Sequence, residues 1–217
     1  DTMQRLRVTF AKGDEVKYIS HLDLVRTWER ALRRAQIPLA YSHGFNPRPR
    51  LFFALALPVG FTSRAEVLDV FLQQRMGLRE FASRLKAQLP IGLQLKSVTE
   101  VPVDFPPLPA RVVAAEYEVA VESQDSPEEM QARLDGLLAA QSLPRCRERP
   151  GGTREYDLRP LIQALWLASQ REGVYIIGMR LQANERGTGR PDEVIATLGL
   201  AEAVRGIERL RLLLVPD

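Results

Sequence analysis

The stretch Arg5-Leu-Arg-Val-Thr-Phe10 alternates polar and apolar residues, which is the pattern of a half-buried β-strand. A helix is predicted to follow it, because Ser20 is placed to cap a helix N-terminus, with Asp23 three residues later. Apolar residues then recur every three or four positions and predict one buried helical face, formed by Leu22, Val25, Trp28, Leu32 and Ala35. Pro38 ends this helix.

This strand and helix open a βαββαβ pattern in the first hundred residues. Residues 51–57, 67–72 and 93–98 read as further strands, and residues 16–19 as a short additional one. A second helix is predicted from Leu78, Phe81, Leu85 and Leu89, which lie on one face, and it ends at Pro90. The order of these elements is that of the ferredoxin-like split βαβ plan.

The second half repeats a mixed pattern after a proline-rich segment. Four prolines between residues 102 and 109 predict a stiff linker over residues 101–111, which separates a domain at 1–100 from one at 112–217. Beyond the linker the pattern predicts strands at 114–121, 174–181 and 207–215, and helices at 127–140, 161–168 and 191–200. We therefore expect an α+β protein with two ferredoxin-like units in tandem.

Composition excludes several classes of protein. The chain has 217 residues, of which 45% are hydrophobic and 26% charged, so it is globular rather than disordered. Its longest apolar run, residues 51–57, is too short for a membrane span, and no secretion leader is evident. Cys146 is the one cysteine, which excludes an internal disulfide and a thiolate-held cluster. We expect a cytoplasmic protein with no membrane contact and no cofactor of its own.

Positive charge is concentrated between residues 24 and 64. This stretch holds seven arginines and one acid, Glu29, for a local charge of +6, whereas the whole chain carries +3. Arginine suits nucleic acid because its guanidinium binds phosphate bidentately and stacks on bases. Tyr41 and Phe45 would supply aromatic rings for base stacking. The predicted RNA- or anion-binding residues are Arg26, Arg30, Arg33, Arg34, Tyr41, His43, Phe45, Asn46, Arg48 and Arg50.

Other interpretations of the same region stay open. His21 could act as a general acid/base in a metal-independent RNA-processing or RNA-modifying enzyme, with Asp23 orienting it. Alternatively Ser20 and Asp23 only cap the helix, and the chain is a protein-interaction domain. His21, Asp23 and His43 lack the compact spacing of a metal site, so no metal is predicted.

Two sequence blocks resemble a known family. Tyr18-Ile-Ser-His-Leu-Asp-Leu-Val-Arg26 and Ala40-Tyr-Ser-His-Gly-Phe-Asn-Pro-Arg-Pro-Arg50 are similar to the radical SAM-linked (radical SAM-associated) protein family, a bacterial domain of unknown function. The resemblance extends through Leu57-Pro-Val-Gly60 and Tyr156-Asp-Leu-Arg-Pro-Leu-Ile162 to Ile207-Glu-Arg209; His43 stands where the family usually has Gln or a similar residue.

The resemblance implies partnership with a radical SAM enzyme. Such an enzyme holds its iron–sulfur cluster on three cysteines, and this chain has one, so the enzyme would be a separate chain. Together with the positive charge between residues 24 and 64, the resemblance leads us to expect an accessory module that binds RNA or presents a substrate to that enzyme. The RNA expected is a tRNA or an rRNA.

Overall fold

The computed structural model describes residues 2–216. They form two compact units, one of residues 2–112 with 214–216 and one of residues 113–213. Each unit combines a β-sheet with helices, so the predicted α+β class is confirmed. No helix in the described part of the chain is long and apolar enough to cross a lipid bilayer.

In the first unit, two longer helices and one short helix accompany four antiparallel strands. The elements are β1 (Gln4–Lys12), α1 (His21–Arg34), β2 (Leu51–Phe53), β3 (Thr62–Leu72), α2 (Leu78–Lys86), β4 (Leu93–Val101) and the short helix α3 (Leu108–Arg111). The strands lie in the order β2-β3-β1-β4. β1 is central, since Leu6 pairs with Val70 of β3 on one side and with Glu100 of β4 on the other.

Alternation along the strands divides the first unit's sheet into two faces. Leu6, Val8 and Phe10 of β1 are fully buried and form one core with α1 and α2. Trp28 of α1 packs on Phe10, with ring centroids 4.7 Å apart. The helix buries Leu24, Trp28, Ala31 and Leu32. Leu22, expected in the buried face, is 53% exposed. It lies in the first turn of α1 on the outer side of the helix, which is the side away from the buried Leu24, Trp28 and Leu32.

The second unit contains five paired strands and a separate hairpin among the described residues. Its elements are β5 (Val112–Glu122), α4 (Pro127–Ala139), β6 (Pro144–Arg149), β7 (Gly152–Asp157), β8 (Ile162–Arg171), β9 (Val174–Asn184), β10 (Gly187–Thr188), α5 (Pro191–Thr197) and β11 (Val204–Leu214). β8 and β10 pair with β9, which pairs with β5, and β5 neighbours β11. β6 and β7 form a two-stranded hairpin apart from that sheet.

Three local predictions were wrong in whole or in part. The helix predicted at 161–168 is absent: Leu161 ends a 3-10 turn, and residues 162–168 lie in β8. Leu165 pairs with Met179, and the Trp166 ring occupies the space above Gly178, where a side chain would collide with it. The expected strand at 16–19 is replaced by a 3-10 turn over Asp14–Val16.

The strand expected at 51–57 stops at Phe53, although the N–H of Ala54 still donates to the carbonyl of Val67. The segment predicted as an extended linker is partly helical, since α3 occupies Leu108–Arg111. Its carbonyls at Phe105 and Pro106 accept hydrogen bonds from the Arg5 guanidinium, at 2.7 and 2.9 Å. These contacts hold the segment against the sheet face opposite the helices.

Candidate functional site

The segment before β2 is an ordered, projecting loop. Tyr41 and Pro49 pair as an isolated antiparallel bridge, and the N–H of Ser42 donates to the carbonyl of Arg48 at 2.8 Å. The N–H of Arg48 donates in return to the Ser42 hydroxyl at 3.0 Å. Gly44 adopts a φ of 120°, a conformation that side chains disfavour, so a glycine suits the turn. The loop therefore has a defined conformation although all of residues 41–48 are exposed.

Phe45 lies at the tip of this loop and is completely exposed, with a relative exposure of 106%. Tyr41 at the base of the loop is 42% exposed. A large apolar ring in water gains nothing for folding, and exposed aromatic rings are the groups on which single-stranded bases stack. His43, Asn46 and Arg48 are exposed on the same loop. The loop thus offers a ring and polar groups to a ligand.

The outer side of α1 carries the predicted arginines. Arg26, Arg30, Arg33 and Arg34 are all exposed. Arg26 forms a weak ion pair with Asp23, with Nη1 and Oδ1 3.4 Å apart and both side chains more than half exposed. In the described part of the chain, the side chains of Arg30, Arg33 and Arg34 have no ion-pair or hydrogen-bond partner. Their charge is available to an anion from solution.

Arg50 does not join this surface. Its guanidinium stacks on the ring of Phe71, 4.1 Å from the centroid, and Nη1 lies 3.7 Å from the sulfur of Met3. Phe71 alternates with Val70 and Leu72, whose side chains are in the core under α1, so it faces the opposite side of the sheet. Arg50 there borders a cavity of about 160 Å³ together with Phe52 and Phe105.

His21 and Asp23 lie at the start of α1 but make separate contacts. Ser20 caps the helix, since its hydroxyl accepts the N–H of Asp23 at 3.1 Å. The Asp23 carboxylate pairs with Arg26, and no hydrogen bond joins it to His21 among the described residues. The half-buried His21 ring meets Phe53 edge-on, 5.2 Å between centroids, and its buried Nδ1 has no hydrogen-bond partner. The arrangement therefore lacks the carboxylate that would orient a general base.

A buried polar cluster lies near His21. Lys12, Ser63 and Glu66 are each at most 3% exposed, and the Ser63 hydroxyl donates to Oε2 of Glu66 at 2.6 Å. Burial lowers the pKa of Lys12, an effect that the charge of Glu66 opposes. Burial is the main cause that lowers the pKa of His21, and the positive charge of Lys12 lowers it further. The imidazole is therefore held toward its neutral form.

Sequence reasoning missed this cluster, although alternation points to it. Lys12 continues the inward positions of Leu6, Val8 and Phe10, and Glu66 precedes the inward residue Leu68 by two positions. Alternation assigns both positions to the core, and a charged residue at a core position indicates a buried polar cluster. No group of three or more His, Cys, Asp or Glu side chains within residues 2–216 is arranged to hold a metal ion, so His21, Asp23 and His43 do not converge.

Comparisons with known proteins identify a family and a fold. Residues 5–191 match the model of a family described as "Uncharacterized protein conserved in bacteria (DUF2344)". A search of curated proteins finds no match. Among solved structures, a chain of the "Crystal Structure of a Cbf5-Nop10-Gar1 Complex" aligns with a TM-score of 0.54 and 6% identity, over 94% of this chain and 48% of that one. This chain thus spans about half of that chain's length, and at this identity the likeness concerns the fold alone.

Proposed function

The chain belongs to the bacterial family of uncharacterized proteins DUF2344, and we propose that it is an RNA-binding accessory that presents its substrate to a radical SAM enzyme. The RNA would lie against the outer side of α1 and the 41–50 loop. The observation that carries the proposal is the coexistence of unpartnered arginines on α1 with the fully exposed Phe45 on the loop of the same unit.

Electrostatics favours a polyanion on α1. Arg30 and Arg34 lie one turn apart, and Arg33 is adjacent, so like charges repel along the helix surface. Bound phosphates would relieve that repulsion and would release their counterions, which is the main source of nucleic-acid affinity at low salt. The partnered Arg26 and the stacked Arg50 contribute less, because other groups already engage them.

The loop would supply contact with bases. Stacking on Phe45 tolerates any base, since every base presents a π-face. Arg48 shares the loop, and its guanidinium has no ion-pair or side-chain hydrogen-bond partner among the residues described. A ring beside a cation is the combination that single-strand-binding surfaces use. This supports an unpaired RNA segment as the group that the loop contacts.

The radical SAM partner is proposed from the family resemblance of the Ser20–Asp23 and Gly44–Pro47 blocks. Cys146 is exposed and is the one cysteine of the chain, so a cluster held by three cysteines would belong to the partner. Presentation of RNA is then the contribution this chain would make. An accessory of this kind should co-purify with the radical SAM enzyme and with nucleic acid, whereas a pure protein-interaction domain would carry no nucleic acid.

We also infer that both units are variants of the ferredoxin-like plan. The strand order β2-β3-β1-β4 with helices α1 and α2 supports this interpretation for the first unit. The order β8-β9-β5-β11 with helices α4 and α5 supports it for the second, where the β6–β7 hairpin would be an insertion.

RNA binding is tested by fluorescence anisotropy with labelled bulk tRNA and with a labelled rRNA fragment. The variant Arg30→Glu plus Arg33→Glu should bind at least about tenfold more weakly than the wild type and show a shallower salt dependence. The control, Arg79→Glu plus Lys96→Glu, makes the same charge change at exposed positions of the same unit and should bind like the wild type. Equal binding by both variants, or no wild-type binding at low salt, contradicts the proposal.

A further inference from the structure

The β6–β7 hairpin of the second unit separates charge between its two faces. Successive side chains of a strand point to opposite sides. One face carries Arg145, Arg147, Arg149, Arg154 and Tyr156, and the other carries Cys146, Glu148, Thr153 and Glu155. Arg147 and Arg154 are directly opposite each other across the strands, a like-charge pair that destabilises a hairpin. Folding alone does not account for so basic a face.

Two of these arginines attach the hairpin to α5. Arg147 donates to both oxygens of Glu193, each at 2.8 Å, and stacks on Tyr156, 4.3 Å from the ring centroid. The Tyr156 hydroxyl also donates to Glu193. Arg145 donates to the hydroxyl of Thr197 at 2.9 and 2.7 Å. These contacts fix the orientation of the basic face.

The remaining arginines line a cleft. Arg149 and Arg154 are exposed and, among the residues that the structure describes, their side chains have no partner. Arg186 and Arg190 of the segment between β9 and α5 line the same cavity, which has a volume of about 390 Å³. Arg190 is 4.0 Å from Glu193, a carboxylate that Arg147 already engages. Basic side chains thus reach the cleft from two separate segments, and these arginines outnumber the two acids that also line it, Asp157 and Glu185.

We infer that this cleft binds the phosphate groups of a nucleotide, either free or within an RNA strand. Guanidinium groups bind phosphate oxygens bidentately, and an anion between the hairpin and the 184–190 segment would offset their mutual repulsion. The volume is within the range of about 300–1,000 Å³ of small-molecule sites and leaves room for more than one phosphate. The site shares no residue with α1 or with the 41–50 loop.

The test compares two variants of the full chain. Arg149→Gln plus Arg154→Gln removes two unpartnered charges from the cleft. Arg171→Gln plus Arg79→Gln removes the same charge from exposed positions outside it. Binding is measured at low salt by calorimetry with magnesium-free ATP and by anisotropy with a labelled single-stranded oligouridine. The cleft variant should melt at or slightly above the wild-type temperature, because it loses no partner and relieves the repulsion between Arg154 and Arg147. The control should melt like the wild type, since Arg171 forms only an exposed ion pair with Glu172, at 3.9 Å.

The cleft variant should bind one or both probes at least about tenfold more weakly than the control variant does. Loss confined to the oligouridine assigns the phosphates to an RNA strand, and loss confined to ATP assigns them to a free nucleotide. Equal affinity of the two variants for both probes overturns the inference, as does a wild type that binds neither probe. The Arg30→Glu plus Arg33→Glu variant keeps the cleft, so ATP binding that survives in it separates the two proposals.

Discussion

Arg7 of β1 and Asp69 of β3 are paired directly across the sheet of the first unit, and Nε of Arg7 lies 2.9 Å from Oδ1 of Asp69. The Asp69 side chain is fully buried and also accepts a hydrogen bond from Nε of Arg5, at 2.8 Å. Arg5 in turn holds the segment that leads to α3. One carboxylate therefore pairs with two guanidinium groups on the face away from α1, and it balances the charge of one of them.

Replacing Asp69 should destabilise the protein strongly. Asp69→Asn keeps the size of the side chain but leaves the buried guanidinium of Arg5 without a counter-charge, at a cost of about 3–5 kcal/mol. Urea unfolding followed by circular dichroism measures the loss. Asp14→Asn is the control, since Asp14 pairs with Lys17 at the exposed surface and its loss should be barely detectable. A small effect of Asp69→Asn would show that Arg5 and Arg7 do not depend on this carboxylate.

Local patterns predicted most elements of the fold but not those that depend on distant pairing. The strand predicted at residues 5–10, the cap at Ser20 and the helix that begins at Pro127 are set by neighbouring residues, and the structure contains all three. Residues 161–168 have apolar spacing that fits a helix as well as a strand. They form a strand because they pair with β9, where Gly178 leaves room for the ring of Trp166.

The candidate surface was predictable in composition and only partly in geometry. Gly44 and the prolines identify the 41–50 loop, and helical spacing puts Arg30 and Arg33 on the outer side of α1. The direction of Arg50 was not predictable, because it depends on stacking with Phe71 on a strand that pairs with β2. The charged face of the β6–β7 hairpin was missed, although arginines at every second position from 145 to 149 indicate it.

His21 should make stability depend on pH below neutrality. Its pKa in the folded protein is lowered from 6.5 by burial and by Lys12, so the unfolded chain binds a proton more readily. The stability that this group supplies is complete above pH 6.5 and falls as the pH is lowered. The wild type should therefore lose more unfolding free energy between about pH 7.5 and about pH 5 than His21→Gln does. His43→Gln, at an exposed position, should retain the wild-type dependence; a His21→Gln curve parallel to the wild type would contradict the argument.

Phe45→Ala should weaken RNA binding without affecting stability. The ring makes no contact that folding requires, since it is completely exposed at the loop tip. Losing one stacked base costs about 1–3 kcal/mol of binding free energy, which is about 5- to 150-fold in affinity. Anisotropy with a labelled single-stranded RNA measures the change, and thermal melting checks the fold. Ile91→Ala removes another exposed apolar side chain of the same unit and should leave affinity unchanged.

Tyr156 should make the second unit sensitive to alkaline pH. Burial is the main cause that raises the pKa of Tyr156 from 10.0 to about 12, and the hydrogen bond to Glu193 adds to it. The positive charge of Arg147 acts in the opposite direction and lowers this pKa. Burial disfavours the charge of Glu193 itself, but hydrogen bonds from Arg147 and Tyr156 outweigh it and hold the pKa of that carboxyl below its ordinary value. The neutral hydroxyl therefore contributes stability below pH 10, and that contribution is lost as the pH rises from about 10 to about 12.

The comparison that isolates this contribution is wild type against Tyr156→Phe. At about pH 8 the variant should be less stable, by about 0.5–1.5 kcal/mol, because a half-buried hydrogen bond to Glu193 is lost. The difference should shrink above pH 10, where unfolding lets Tyr156 ionise in the wild type but not in the variant. Tyr18→Phe, at a position 74% exposed, should follow the wild-type curve. If the unfolding free energies of wild type and Tyr156→Phe changed in parallel with pH, the hydroxyl would titrate alike in the folded and unfolded chain. That result would contradict the contact with Glu193.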